Sequence, residues 1–257
     1  MTVTDIPAFL LHAPDGVVVR YADIGRGRPL VLLHGFTDRL EGWFDLGYAA
    51  PLLEAGRRLV LIDARGHGGS GRPHDPAAYG AERRAGDVAA VLDALGIAQA
   101  DVWGYSMGGW MGFALLRHHP GRVRRLVAGG AHPFAQDLGP LRRLLAGGIE
   151  PWLAAVEAQA GPLPAGMRRR LLDNDAGALR AAVAEDRGDL SAALAAFPRP
   201  CLFYAGGDDP VRAGAEQAGG LAPRGRHVGL PGLNHMTAFA RADAALAAVL
   251  PFLDEPA

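Results

Sequence analysis

Asp101-Val102-Trp103-Gly104-Tyr105-Ser106-Met107-Gly108-Gly109 is the stretch on which the fold turns. Asp101 to Gly104 predicts a short buried strand that runs straight into Ser106. Met107 to His119 has helical spacing and is stopped by Pro120. A serine between a strand and a helix, in the pattern Gly-x-Ser-x-Gly, predicts a sharp turn that lifts its hydroxyl above the end of a sheet. Gly104 and Gly108 have no Cβ, so neighbouring backbone can pass close to that turn. The helix that follows aims free N–H groups and its positive dipole end at the same place.

Outward from this turn, short apolar runs alternate with helical periodicity, which predicts parallel strands joined by crossover helices. The expected strands are Leu30–Leu33, Leu59–Ile62, Val123–Ala128, Cys201–Ala205 and His227–Leu230. Phe9–His12 and Val17–Tyr21 flank the turn triplet Pro14-Asp15-Gly16 and predict an antiparallel hairpin. Val88, Val91, Leu92 and Leu95 recur at helical spacing up to Gly96, and Ala238–Leu253 reads as a terminal helix. Residues 132–196 read mostly helical. They are far too long for a plain connection of roughly 4–6 residues. The expected organisation is therefore a core of residues 1–131 and 197–257 with a helical cap, 132–196, inserted in it.

Three further loops carry chemistry. His34-Gly35-Phe36 follows the strand Leu30–Leu33, where the Phe36 amide, paired with that of Met107, would make a two-donor oxyanion hole. His34 reads as a loop-holding histidine, since it precedes the serine and does not follow the last strand. Asp208 and Asp209 follow Cys201–Ala205, at a strand's C-terminal end; Pro210 biases Asp209 toward extended geometry. His235 follows the last strand and can take the serine proton and return it to a leaving group. The chain order Ser106, Asp209, His235 is the one expected for a nucleophile of this kind. Asp63 to Ser70 is dense in glycine and reads as a tight structural loop, not a metal site.

These motifs resemble the α/β-hydrolase superfamily over essentially the whole chain. The matches are His34-Gly35-Phe36, Asp63-x-Arg65-Gly66-His67-Gly68-x-Ser70, Gly104-x-Ser106-x-Gly108-Gly109, and Gly206-x-x-Asp209 with His235. The family's Gly-x-x-Asp spacing selects Asp209 over Asp208. The resemblance implies a mostly parallel central sheet flanked by helices, a small helical cap and a Ser106–Asp209–His235 triad. It is nearest the esterase, enol-lactonase and carbon–carbon hydrolase branch. A serine nucleophile departs from the haloalkane dehalogenase and epoxide hydrolase branches, which use Asp. The expected reaction is hydrolysis of small, largely apolar carboxylic esters or lactones through an acyl-enzyme. Carbon–carbon cleavage of dienone acids, acyl transfer or perhydrolysis, and a hydrolase-fold ligand receptor are the alternatives. Trp43, Phe134, Trp152 and Met236 are expected pocket walls.

Composition narrows the partners. The chain has 257 residues, 49% of them hydrophobic and 21% charged, with a formal net charge of −1. All 26 of its Lys and Arg residues are arginine. With no basic tract, nucleic acid and anionic lipid are not expected partners. The single cysteine, Cys201, lies in an apolar run and reads as a buried, inert thiol. No stretch of about 18 uninterrupted apolar residues predicts a membrane span. Residues 1–14 lack the pattern of a signal peptide, so a cytoplasmic enzyme without metal or cofactor is expected.

Overall fold

The computed structural model describes residues 6–255. Residues 1–5, on which the signal-peptide expectation partly falls, lie outside them. The chain begins with β1 (Ala8–His12), β2 (Val18–Ile24) and β3 (Arg28–Leu33), then α1 (Gly42–Asp45), α2 (Ala49–Glu54) and β4 (Arg57–Ile62). There follow α3 (Ala81–Ala94), β5 (Ala100–Tyr105), α4 (Met107–His118) and β6 (Val123–Gly129). Five helices come next: α5 (Gly139–Leu145), α6 (Glu150–Ala160), α7 (Ala165–Leu172), α8 (Ala176–Ala182) and α9 (Ser191–Ala195). The chain closes with β7 (Cys201–Gly206), α10 (Arg212–Leu221), β8 (Gly225–Leu230), α11 (His235–Ala240) and α12 (Ala242–Asp254).

The strands form one eight-stranded sheet in the order β1-β2-β4-β3-β5-β6-β7-β8. Only β2 runs against its neighbours, pairing antiparallel with β1 and β4. The central strands are buried on both faces, and their residues alternate between two cores. Val31, Leu33 and Val102 join α3, α4 and α10 on one side; Leu30, Leu32 and Trp103 join α11 and α12 on the other. After β3 the chain steps outward to β4, then returns past β3 to build β5. Connections leaving β3 and β5 in opposite directions open a crevice at their C-terminal ends, where open sheets of this kind bind ligands. Phe36 and Ser106 follow those two strands.

One sequence expectation fails at the C-terminus. The apolar repeat of 238–253 spans two helices. Asn234 caps α11, accepting from the Met236 and Thr237 amides at 3.0 and 2.9 Å, so that helix starts at His235. Arg241, at φ −93° and ψ 71°, then leaves helical geometry. Both helices bury side chains in the same core, so the repeat runs through the break unmarked. No helix among the described residues is long and apolar enough to cross a membrane.

The β1–β2 turn is tied to the sheet through charge. Arg65, 1% exposed, is bidentate to buried Asp87 at 2.7 and 2.6 Å and reaches Asp15 of the turn at 2.8 Å. The Arg65 hydrogen bond holds the Asp15 carboxyl down, from its ordinary 3.8 to about 2. A carboxyl depressed on folding stabilises fully above its unfolded pKa and loses that contribution as pH falls through the folded one. The stability advantage of the native protein over Asp15→Asn should therefore be full above about pH 4 and fade toward about pH 2. Urea midpoints measured across that range check it; an advantage independent of pH would disprove the pairing.

Candidate active site

Ser106 sits at φ 53° and ψ −112°, a region that residues with a Cβ rarely occupy. Two backbone bonds hold it there: its N–H donates to the Gly129 carbonyl at 2.8 Å, and its carbonyl accepts from the Trp110 amide at 3.0 Å. The glycines around it are required by contact. A Cβ on Gly104 would stand 2.1 Å from the Gly108 carbonyl oxygen, and one on Gly108 would stand 2.0 Å from that of Leu33. The turn thus lies directly against the end of β3.

The Ser106 hydroxyl donates to His235 Nε2 at 2.9 Å, and His235 Nδ1 donates to Asp209 Oδ2 at 2.8 Å. The carboxylate fixes the tautomer that leaves Nε2 free to accept. His235 is presented by the first turn of α11, and the Tyr105 hydroxyl donates to its backbone carbonyl at 2.5 Å. Asp209 is buried, and its Oδ1 accepts from the Val211 amide at 3.0 Å; Asp208 is exposed. The two loops press together at Gly206, where a Cβ would meet the Leu233 carbonyl oxygen at 2.1 Å. An imidazole so placed can accept a proton from Ser106 and hand it on.

Neither the Phe36 nor the Met107 amide donates to a backbone acceptor among the described residues, so both remain free beside the serine turn. The loop that carries Phe36 is rigid. Buried His34 accepts the Ala64 amide on Nε2 at 3.0 Å and donates from Nδ1 to the Gly35 carbonyl at 2.8 Å. Buried Asp63 takes the Leu40 amide at 2.7 Å, the Gly69 amide at 2.8 Å and the Arg20 guanidinium at 2.9 Å. The loop 63–70 is thus a brace between neighbouring turns. Among the described residues no group of three or more His, Cys, Asp or Glu could hold a metal ion.

Ser106 and His235 open into a cavity of about 170 Å³ walled by Phe36, Trp152, Val156, Met167, Leu171 and Met236. Trp152 meets Phe36 edge to face, with ring centroids 5.6 Å apart, and donates to Thr37 Oγ1 at 3.0 Å. Asn174 donates to the Thr37 carbonyl at 2.9 Å. Asp38 also faces the cavity, and burial pushes its carboxyl up. Nothing in the sequence spacing marks Thr37, Asp38, Met167 or Leu171; the first two lie on the loop after β3, and the others reach the cavity through the return of α7.

Residues 28–175 match the family described as alpha/beta hydrolase fold. The chain belongs to that family. A hydrolase from Pseudomonas aeruginosa PA01 superposes with a TM-score of 0.85 at 28% identity, covering 96% of this chain and 98% of that one. An enol-lactonase from Burkholderia xenovorans LB400 gives 0.84 at 25% identity, covering 96% and 100%. In sequence, 2-hydroxymuconate semialdehyde hydrolase from Pseudomonas sp. (strain CF600) is 39% identical over 127 residues, 48% of this chain and 44% of that protein. The matched part thus spans less than half of that relative.

The structure brings Ser106, Asp209, His235, Phe36, Met107, Trp152 and Met236 of this α/β-hydrolase to one place, but not Trp43 or Phe134. Trp43 is fully buried, with ring centroids 5.1, 5.4 and 5.3 Å from Tyr48, Trp103 and Phe239. Its short helix turns it under the sheet, where an indole gains most from burial. Phe134 packs on His132, at 5.7 Å. Its strand of chain is held to residues 187–190 by Leu190 N–H to the Pro133 carbonyl, 2.7 Å, and by the Gln136–Arg187 bridge, and does not line the cavity.

Backbone crowding at the serine turn makes a direct test. Gly108→Ala should cost about 1–3 kcal/mol, because the obstructing atom is a main-chain oxygen that cannot swing away. Gly86→Ala, in the middle of α3 with nothing within 4 Å of the added carbon, should instead gain roughly 0.5–1 kcal/mol. Urea denaturation of both variants checks the contrast; a neutral Gly108→Ala would mean the turn is looser than described.

Proposed function

We propose that this α/β-hydrolase cleaves carboxylic esters or lactones of small, largely apolar substrates through an acyl-enzyme on Ser106. The observation that carries this reading is the unbroken hydrogen-bonded line Ser106–His235–Asp209 at the floor of an apolar cavity. Ser106 Oγ attacks the carbonyl carbon while His235 Nε2 takes its proton. The oxyanion rests on the Phe36 and Met107 amides, the electrostatic term that contributes most in such sites. Collapse expels the alcohol, which receives the proton from His235. Water, deprotonated by His235, then attacks the acyl group and releases the acid with Ser106 restored. Asp209 orients the imidazole and stabilises its charged form. No cofactor or metal enters these steps.

Residues 132–196 act in this reading as a cap on the core formed by 1–131 and 197–257. The chemistry is complete on loops of the sheet, while Trp152, Val156, Met167 and Leu171 come from the cap helices. A volume of about 170 Å³ favours compact acyl groups over long lipids. A second reading, carbon–carbon cleavage of dienone acids, draws on the likeness to 2-hydroxymuconate semialdehyde hydrolase and on Arg72 at the cavity, whose guanidinium suits a substrate carboxylate; Arg170, also at the cavity, is paired with Asp45.

A fluorophosphonate should label Ser106 alone, and a panel of esters, lactones and dienone acids should separate the two readings. Adduct formation at Ser70 or Ser191 would overturn the nucleophile. Asp209→Asn should lower turnover on the order of 10⁴-fold, since an amide favours the wrong tautomer, while exposed Asp208→Asn should leave it near native. Steady-state kinetics on the preferred ester decide this, and equal losses would unseat Asp209. Trp152→Ala should move KM and chain-length preference more than the labelling rate of Ser106. A parallel fall in labelling would show that Trp152 supports the chemistry itself.

A further inference from the structure

A second cavity, of about 230 Å³, opens between α3, α4 and α8 and shares no lining residue with the Ser106 cavity. Two arginines line it. Arg84 is 3% exposed; its Nε donates to the Tyr79 carbonyl at 2.9 Å, its Nη2 to the Ala182 carbonyl at 3.1 Å, and its Nη1 to Met107 Sδ at 3.1 Å. Arg187 Nη1 donates to Gln136 Oε1 at 2.8 Å. Every acceptor that these two side chains reach among the described residues is neutral. The contrast within the same molecule is sharp, since Arg65, as buried as Arg84, is matched by Asp87 and Asp15.

Both guanidinium groups stand over the indole of Trp110, with Arg187 Cζ 4.9 Å and Arg84 Cζ 5.8 Å from the ring centroid. Trp110 is 6% exposed, and its Nε1 is buried with no hydrogen-bond partner. A buried guanidinium such as Arg84, with neutral acceptors and no anion paired with it among the described residues, is costly unless something negative accepts from it. Burial pushes Arg84 down to about 10 and Arg187 down to about 9, with the charge of Arg84 adding to the effect on Arg187. The acidic residues on the rim, Glu185 and Asp186, are both exposed, and Asp186 is already engaged by Arg142 and the Leu138 amide.

We propose that this cavity binds a small oxyanion, the phosphate or carboxylate group of a metabolite, on the guanidinium groups of Arg84 and Arg187 beside the Trp110 indole. Guanidinium groups offer paired donors that match the edge of either group. The cavity touches the serine turn through Arg84 and Met107 but shares no lining residue with the Ser106 cavity, and the proposal stands whether or not that cavity hydrolyses esters.

The test is titration of inorganic phosphate, and separately of succinate, into the whole protein, with chloride at equal ionic strength as reference. Calorimetry should show one saturable site for at least one anion, and the melting temperature should climb with its concentration, as binding to the folded state alone requires. Arg187→Gln should weaken that binding roughly tenfold or more. The backbone bonds between Gln136 and Arg187, at 2.9 and 3.0 Å, keep the segment in place without the guanidinium. Arg187→Lys keeps a cation but removes the paired donors, and should also weaken binding; it serves if Arg187→Gln fails to fold. Tighter binding of phosphate or of succinate assigns the class of ligand. Saturation by neither anion, or native affinity in the variants, would overturn the proposal.

Discussion

Ser106 carries a Cβ and yet holds φ 53°, ψ −112°, and the rest of the site is arranged around that strained turn. Such a conformation costs on the order of 1–3 kcal/mol and persists only where its surroundings over-determine it. Here they do. The serine amide is bound to the end of β6, its carbonyl starts the ladder of α4, and Gly108 lies against the carbonyl of Leu33 at the end of β3. Relaxing the turn would pull α4 away from two strands at once. The same close approach sets the loop that follows β3 beside the serine turn, where a Cβ on Gly35 would stand in van der Waals contact with Ser106 Cβ at 3.7 Å.

Preorganisation extends through the neighbouring loops. The turn after β4 holds the turn after β3 by two independent links, the Ala64 amide to His34 and the Leu40 amide to Asp63. Each link joins buried groups, where an unmade hydrogen bond is expensive, so both loops are fixed together or not at all. Asp63 is neutralised in turn by Arg20, which also pairs with Glu41. Most buried charge in this protein is matched in this manner. The two arginines over Trp110 depart from the pattern, and that departure sets their cavity apart from ordinary packing.

Likeness to other proteins is distributed unevenly along the chain. The family match covers residues 28–175 and stops before β7 and β8, which deliver Asp209 and His235. The structural likeness covers 96% of the chain. The serine turn and the Asp209 loop constrain sequence tightly, since three backbone approaches near 2 Å from a missing Cβ demand glycine at Gly104 and Gly108 in the one and at Gly206 in the other. Helices α6 and α7, which wall the cavity, face weaker demands. They need apolar faces that close over a cavity, and many sequences supply those.

The sequence alone was sufficient for whatever depends on local geometry repeated in order. Strand, serine turn and helix follow from residues 101–120. The alternation of Leu30 to Leu33 between two cores follows from the period of a strand, and the hairpin at Asp15 follows from its turn residues. His235 could be read because it stands just past an apolar run, and Asp209 because the resemblance's Gly-x-x-Asp spacing, beyond position alone, separates it from Asp208. Only the tertiary structure decided what surrounds the substrate. Trp43 and Trp152 are both tryptophans near a suitable loop, yet one is buried beneath the sheet and the other stands over Ser106. Spacing along a chain does not record which way a short helix turns, or how far an insertion folds back. Nor does it show that Arg84, Trp110 and Arg187, far apart in sequence, meet around one cavity. Those outcomes depend on packing between elements that have no fixed separation in the chain.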